Sequence, residues 1–330
     1  MRSITRAGGL LAALVPCALG VACSDPELSS DLDTDGPPEV LEVNVTSETA
    51  PTDPNGNAVE AATFCRGGDE FKVSTFYCPL ARDESDAPIP GDRALDGAVV
   101  DATPIGWNVR FIFSELIDPD IEDLVETDGV TSGSLADTQP FTVTCGGADI
   151  SYDGWYDPSG NNLSYPPGPG LVATAVDFIA TGSSCEIALR DGSAVDKDGD
   201  GVPSDMLGPY TFGIAPLTVA ATDPAADAEG VDPTAPVSVS FNAPIDIATV
   251  TTDAKIALTD ADGAAVAVDF SYASDDAGTE DQTVIVATPQ AALAAGAVYT
   301  VTVSAGITDI AAGPLNDDLE PFSFTTGEAP

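Results

Sequence analysis

The sequence predicts an all-β chain: two tandem β-sandwich domains behind a signal peptide and a disordered tether. Three observations point there. Short stretches of alternating apolar residues recur between Gly, Pro and Asp turns from Pro38 onward. A strand-and-turn pattern that starts at Val109 returns at Val237. No long amphipathic helical period occurs anywhere. A length of 330 residues suits two domains of roughly 100–200 residues each.

Taken in order, residues 1–22 come first. Arg2 and Arg6 make a basic start, 9–19 are apolar, and Gly20-Val21-Ala22 is a run of small residues before Cys23, the order of a secretory signal. The apolar part is shorter than the about 20 residues a bilayer-spanning helix needs, so removal is expected. Small residues running into a cysteine resemble the lipobox of bacterial lipoproteins. Gly20 stands where such motifs usually carry Leu, with Leu19 adjacent. The resemblance implies that Cys23 receives the lipid, becomes the mature N-terminus and gives the chain a membrane partner. The alternative is an ordinary signal peptide with an incidental cysteine. Residues 23–37 have almost no large apolar side chains and read as an acidic disordered tether.

Cysteine count supports export independently. With Cys17 lost in the signal and Cys23 assigned to lipid, Cys65, Cys78, Cys145 and Cys185 remain. An even number in an exported chain makes disulfides the default, with three possible connectivities. Cys65–Cys78, closing a short loop, and Cys145–Cys185, tying two strands of one domain, are the favoured pairs. A four-thiolate zinc site would need close cysteine pairs, and spacings of 13, 67 and 40 do not supply them.

Domains are expected at 38–214 and 215–327. Their strands are read at 41–45, 109–113, 141–145, 237–241, 284–286 and 299–303, and 290–296 is the stretch able to make a helical turn. Val109-Arg-Phe-Ile-Phe113 through Ile117-Asp118 lines up with Val237-Ser-Val-Ser-Phe241 through Ile245-Asp246. Gly208-Pro-Tyr-Thr-Phe212 lines up with Glu320-Pro-Phe-Ser-Phe324.

Phe241-Asn-Ala-Pro-Ile-Asp246, Leu293 through Tyr299-Thr-Val-Thr-Val303, Gly306-Ile-Thr-Asp309 and Phe322-Ser-Phe-Thr-Thr-Gly327 resemble, as a set, the bacterial Ig-like domain of the SbsA type. The match runs over about 215–327. The first copy keeps Phe113-Ser-Glu-Leu-Ile-Asp118, but it carries the Cys65–Cys78 insertion and a long Gly/Pro/Tyr segment. The resemblance implies a cell-surface β-sandwich acting as spacer or adhesive module, with no catalytic residue to carry over.

Two constellations could still bind something. Asp196, Asp198, Asp200 and Asp205 with the Val202 carbonyl surround a turn at Gly201, as in Asp-rich calcium loops. Leu207 occupies the twelfth position, so an EF-hand proper is excluded; a solvated acidic turn is the plain alternative. The equivalent turn in the second copy has Asp309 alone. A weaker string, Asp31, Asp33 and Asp35, lies in the tether. The second constellation is aromatic. Trp155, Tyr156 and Tyr165, with Tyr152 nearby, could stack on sugars if exposed together; packing in the core is the competing reading, supported by Phe270 and Tyr272 in the second copy.

Composition excludes whole classes. A formal charge of −44 argues against nucleic acid, whose recognition needs Lys and Arg on phosphate. The absence of His removes Ser-His-Asp and Cys-His nucleophiles and His-ligated zinc. Carboxylate-only hydrolysis survives, but among 54 Asp and Glu some pair will always be close. The expectation is therefore a non-enzymatic, lipid-anchored protein of the cell envelope, at the outer membrane or cell surface. Calcium is its one candidate cofactor, and an envelope protein or polysaccharide its candidate partner.

Overall fold

Wherever the sequence alternates apolar and polar residues the backbone is extended, because a period of two places every second side chain on one face of a strand. The computed structural model describes residues 36–47, 66–67, 76–79, 99–100, 108–125, 139–158, 169–176 and 178–328. Cys23, the expected lipidation residue, Cys65 of the expected Cys65–Cys78 pair, and Tyr165 therefore lie outside what is described, while Cys78 sits on the strand 76–79. Residues from Asp35 onward belong to one compact unit.

Eighteen strands are described. They are β1 (Val40–Ser47), β2 (Arg66–Gly67), β3 (Phe76–Pro79), β4 (Val99–Val100), β5 (Asn108–Phe113), β6 (Phe141–Cys145), β7 (Ala148–Asp149), β8 (Tyr152–Asp157) and β9 (Gly170–Ala175). There follow β10 (Ser184–Leu189), β11 (Tyr210–Ile214), β12 (Val219–Asp223), β13 (Val237–Phe241), β14 (Ile256–Asp260), β15 (Val268–Ser274), β16 (Glu280–Pro289), β17 (Val298–Val303) and β18 (Leu319–Thr325). The first sandwich has sheets β2-β3-β1-β5-β9-β8 and β4-β11-β10-β6-β7; the second has β12-β13-β16-β15 and β14-β17-β18.

Without the short extra strands β2, β3, β4 and β7, the two sandwiches have one topology. The first, second, fifth and fourth strands form one sheet, and the third, sixth and seventh form the other. That is the strand arrangement of a constant-type immunoglobulin sandwich. The register carries the repeat: Val40 pairs with Phe113 as Val219 pairs with Phe241, and Cys185 with Phe212 as Tyr299 with Phe324. Beyond the second strand, Ile117 bridges Asp196 and Ile245 bridges Asp309.

Inward residues build the core. Phe111, Phe141, Tyr152 and Tyr210 are fully buried in the first sandwich, with the Phe111 ring 5.1 Å from Phe141 and 5.5 Å from Tyr210. In the second, Tyr299 and Phe324 stack at 5.9 Å. Burying each such side chain contributes roughly 1.5–3 kcal/mol. The cystine Cys145–Cys185 joins directly opposed residues of β6 and β10, at the position where Asp260 and Tyr299 face each other in the second copy.

Residues 290–296 form no helix. Leu293 is the one buried side chain there, its N–H is taken by Pro233 O, and Gly296 turns the chain at φ 66°. The helical turns lie instead after the second strand of each sandwich, at Glu122–Val125 and Ile247–Thr251. Asp246 caps the latter by accepting the Ala248 N–H, and Asp118 accepts the Asp120 N–H at the equivalent corner.

Candidate functional site

A single hairpin device occurs four times among the described residues. An aspartate accepts the backbone N–H groups two and four residues on, and the third residue on turns with positive φ. Asp196 binds Asp198 N and Asp200 N at 2.8 and 2.9 Å. Asp260 binds Asp262 N and Ala264 N, Asp275 binds Ala277 N and Thr279 N, and Asp309 binds Ala311 N and Gly313 N, all within 3.0 Å. The turning residues are Gly199, Gly263, Gly278 and Ala312, at φ 70–89°. Short acidic side chains suit this role because they satisfy turn amides locally. At Asp275 the Thr279 amide holds the carboxyl below its ordinary range.

The Asp-rich turn of the first sandwich is one of these hairpins. Asp196 is buried, with Oδ1 occupied by two amides; Asp198, Asp200 and Asp205 are exposed, and Val202 is buried with its N–H on Ala194 O. Among the described residues no group of three or more acidic or cysteine side chains converges as a metal site.

At Asp309 the device gains a second task. Its Oδ1 closes the hairpin between β17 and β18, while Oδ2 accepts the Thr181 N–H at 2.7 Å from the β9–β10 loop of the first sandwich. Asp309 is 1% and Thr181 3% exposed. Gly313 makes the approach possible: a Cβ there would lie 2.4 Å from Thr181 N, Thr181 Oγ1 and Asp309 Oδ2. The connecting residues are fixed on both sides. Ala215 O accepts the Gly182 N–H at 3.0 Å, and the Asn242 amide donates to Pro216 O at 2.9 Å and accepts from Thr218 N at 2.8 Å. A cleft of about 550 Å³ runs along this joint, lined by Cys145, Ile150 and Phe178 on one side and Ala311 and Pro314 on the other.

The aromatic constellation separates by strand alternation. On β8, Tyr152 and Tyr156 face the core while Asp153, Trp155 and Asp157 face outward. The Tyr156 hydroxyl accepts the Ile117 N–H at 2.8 Å, and the Tyr152 hydroxyl accepts Phe141 N at 3.0 Å. Tyr272 plays the matching part in the second sandwich, donating to Ile245 O at 2.8 Å. Burial pushes the Tyr156 hydroxyl up to about 12, the Ile117 bond opposing, and raises Tyr152 and Tyr210 in the same direction. Trp155 alone of the described candidates is a surface ring, 45% exposed. A face combining Trp155 with Tyr156 does not form, because adjacent strand residues point to opposite sides.

Residues 214–326 match the family model of the bacterial Ig-like domain. The matched stretch is the second sandwich, about a third of the chain. Solved structures similar to this chain include the N-terminal part of the bacterial S-layer protein SbsC, at 20% identity, TM-score 0.25, covering 34% of this chain and 24% of that one. CopC from Methylosinus trichosporium OB3b is similar at 14% identity and TM-score 0.26, covering 34% of this chain and 96% of that one. An L,D-transpeptidase from Mycobacterium smegmatis is similar at 23% identity and TM-score 0.23, covering 34% and 41%. The chain thus spans about a quarter of the SbsC chain it matches. A search of curated proteins gave no match.

The joint is the feature that sequence reading missed. In the second sandwich, the turn Asp309-Ile-Ala-Ala-Gly313 carries no charge after its aspartate and ends in Gly, whereas Asp196-Lys-Asp-Gly-Asp200 carries three further charges. Asp309 and Gly313, the two ends of that turn, are the residues buried at the joint, while Ile310 stays 48% exposed.

Proposed function

We propose that this chain is a non-catalytic spacer of the bacterial cell envelope, anchored by lipid at Cys23 and holding its two sandwiches at a fixed angle. The observation that carries this reading is the Asp309–Thr181 bond with its Asn242 reinforcement. Inter-domain contacts within a chain are by default loose enough to move. A buried carboxylate holding backbone from both partners opposes that motion, since hydrogen bonds to charged groups each contribute roughly 1.5–3 kcal/mol. Rigidity is what a spacer needs and what a flexible linker cannot give. The acidic tether 23–37 supplies reach from the lipid, and the charge of −44 keeps neighbouring copies apart. Two measurements test it. Small-angle scattering on the mature chain should fit a single extended envelope; a broad ensemble of inter-sandwich angles would refute the spacer. Detergent partitioning should be lost in Cys23→Ser, and unchanged partitioning would refute the anchor.

Trp155 supports a second reading, a glycan-binding surface. Its exposed ring is flanked along β8 by Asp153 and Asp157, a stacking plane between hydroxyl acceptors. Envelope polysaccharide that quenches tryptophan emission in the parent but not in Trp155→Ala would establish it.

A further inference from the structure

The joint has a receiving end and an inserting end, and the second sandwich repeats the receiving end at its far side. The β16–β17 loop of that sandwich has the construction of the β9–β10 loop in the first sandwich. Gly182 and Gly296 both turn at positive φ, 73° and 66°. Gly182 N donates to Ala215 O at 3.0 Å, and Gly296 N donates to Gly327 O at 2.9 Å. Ile214 N binds Ser183 O as Thr326 N binds Ala297 O. Ile179 and Leu293, the anchoring side chains, are each 7% exposed. In this alignment Thr181, whose N–H takes the Asp309 carboxylate, corresponds to Ala295.

Nothing in the described residues covers the second receiving end. Ala291, Ala292, Ala294, Ala295 and Gly296 are exposed, Val298 is 44% exposed, and the Ala295 N–H makes no hydrogen bond among the described residues. No charged residue occurs from Gln290 to Val303 in a chain of charge −44, and Glu328 is the acid that borders the loop at Gly296.

The first sandwich does not fit that end of another copy. Its hairpin presents Asp196 as the second sandwich presents Asp309, but Asp200 stands where Gly313 stands. A Cβ at Gly313 collides with the receiving backbone, so Asp200 blocks the same approach. Lys197 and Asp198 replace Ile310 and Ala311, giving the polar outer face expected of a terminal repeat.

We propose that the loop 291–298 is a docking surface for the hairpin of a further Ig-like module, one with an aspartate followed four residues later by glycine, and that Asp200 keeps copies of this chain from occupying it. The contact is heterologous, inserting end to receiving end, so a permissive hairpin on this chain builds open linear assemblies.

The test converts the block. The full mature chain carrying Lys197→Ile, Asp198→Ala, Gly199→Ala and Asp200→Gly presents at 196–200 the five residues of 309–313. Sedimentation velocity in high salt, where repulsion between copies is screened, should show monomers for the parent and concentration-dependent chains for the graft. Adding Ala295→Pro, which deletes the N–H, should weaken association at least tenfold. A folded graft that stays monomeric overturns the proposal, as does association indifferent to Ala295→Pro. If circular dichroism shows the fourfold variant unfolded, Asp200→Gly alone carries the same expectation. Self-association of the parent that Ala295→Pro abolishes would overturn the role given to Asp200.

Discussion

The carboxylate of Asp309 holds the backbone of Thr181 at 2.7 Å while its other oxygen closes the hairpin it belongs to. One side chain thus serves local turn and joint together, so the two functions separate by substitution. Asp309→Asn keeps one carbonyl oxygen for the hairpin amides and loses the second acceptor facing Thr181. We expect a loss of roughly 1.5–3 kcal/mol in urea unfolding, the contribution of one charge-assisted bond, together with a wider scattering envelope. Asp309→Ala should cost more, because Ala311 N and Gly313 N also lose their acceptor. An Asp309→Asn variant as stable as the parent would mean the bond across the joint contributes nothing.

Gly313 and Gly263 offer a controlled comparison of steric and conformational cost. A Cβ at Gly263 meets nothing within 4 Å, but the residue turns at φ 79°. Gly263→Ala should therefore cost about 1 kcal/mol from the left-handed backbone alone, with the scattering profile unchanged. Gly313 does not need a positive φ, and its cost is purely one of space: a Cβ 2.4 Å from Thr181 N forces the joint apart. Gly313→Ala should widen the envelope while costing about 1–3 kcal/mol. An unaltered envelope would show that the sandwiches are held by something other than this approach.

Within the Asp-rich turn, Asp196 and Asp198 have different work. Asp196 is buried on two amides, whereas Asp198 is exposed. Asp196→Ala should lower stability by about 1–3 kcal/mol for the amides left without an acceptor, and Asp198→Ala by no more than about 0.5 kcal/mol. Calcium titration of the parent and of Asp198→Ala distinguishes a backbone device from a cation loop. Equal Tm responses in the two proteins fit the device, and a calcium-dependent rise confined to the parent fits the loop.

What the sequence disclosed follows from which signals are local. Alternation in Val237–Phe241 and the Ile-Asp corner at Ile245 to Asp246 are set within a few residues, so strands and repeat were legible, while the Cys145–Cys185 pair, 40 positions apart, followed from the even cysteine count. The direction of Tyr156 depends on strand phase over β8, which Gly154 and Trp155 leave ambiguous until Tyr152 is known to face inward. The joint depends on residues 128 positions apart, Thr181 and Asp309, and no local pattern encodes such a pairing.

Alkali should expose the buried tyrosines. Burial raises the Tyr156 hydroxyl from 10.0 to about 12 and moves Tyr152 and Tyr210 the same way. Above pH 10 the unfolded chain releases these protons while the folded chain retains them, so the folded state binds more protons and stability falls as pH rises. The stabilisation is complete below the unfolded value and disappears as pH climbs through the folded one. Tm should accordingly be flat near neutrality and drop steeply between about pH 10 and 12, with tyrosinate absorbance rising in step with unfolding. Tyr156→Phe removes one of these protons and leaves the Ile117 N–H without its acceptor. It should start less stable by about 1–3 kcal/mol and show a shallower alkaline fall than the parent. A parent whose tyrosines all titrate near 10 before any loss of structure would place these hydroxyls in water and contradict the inward phase of β8.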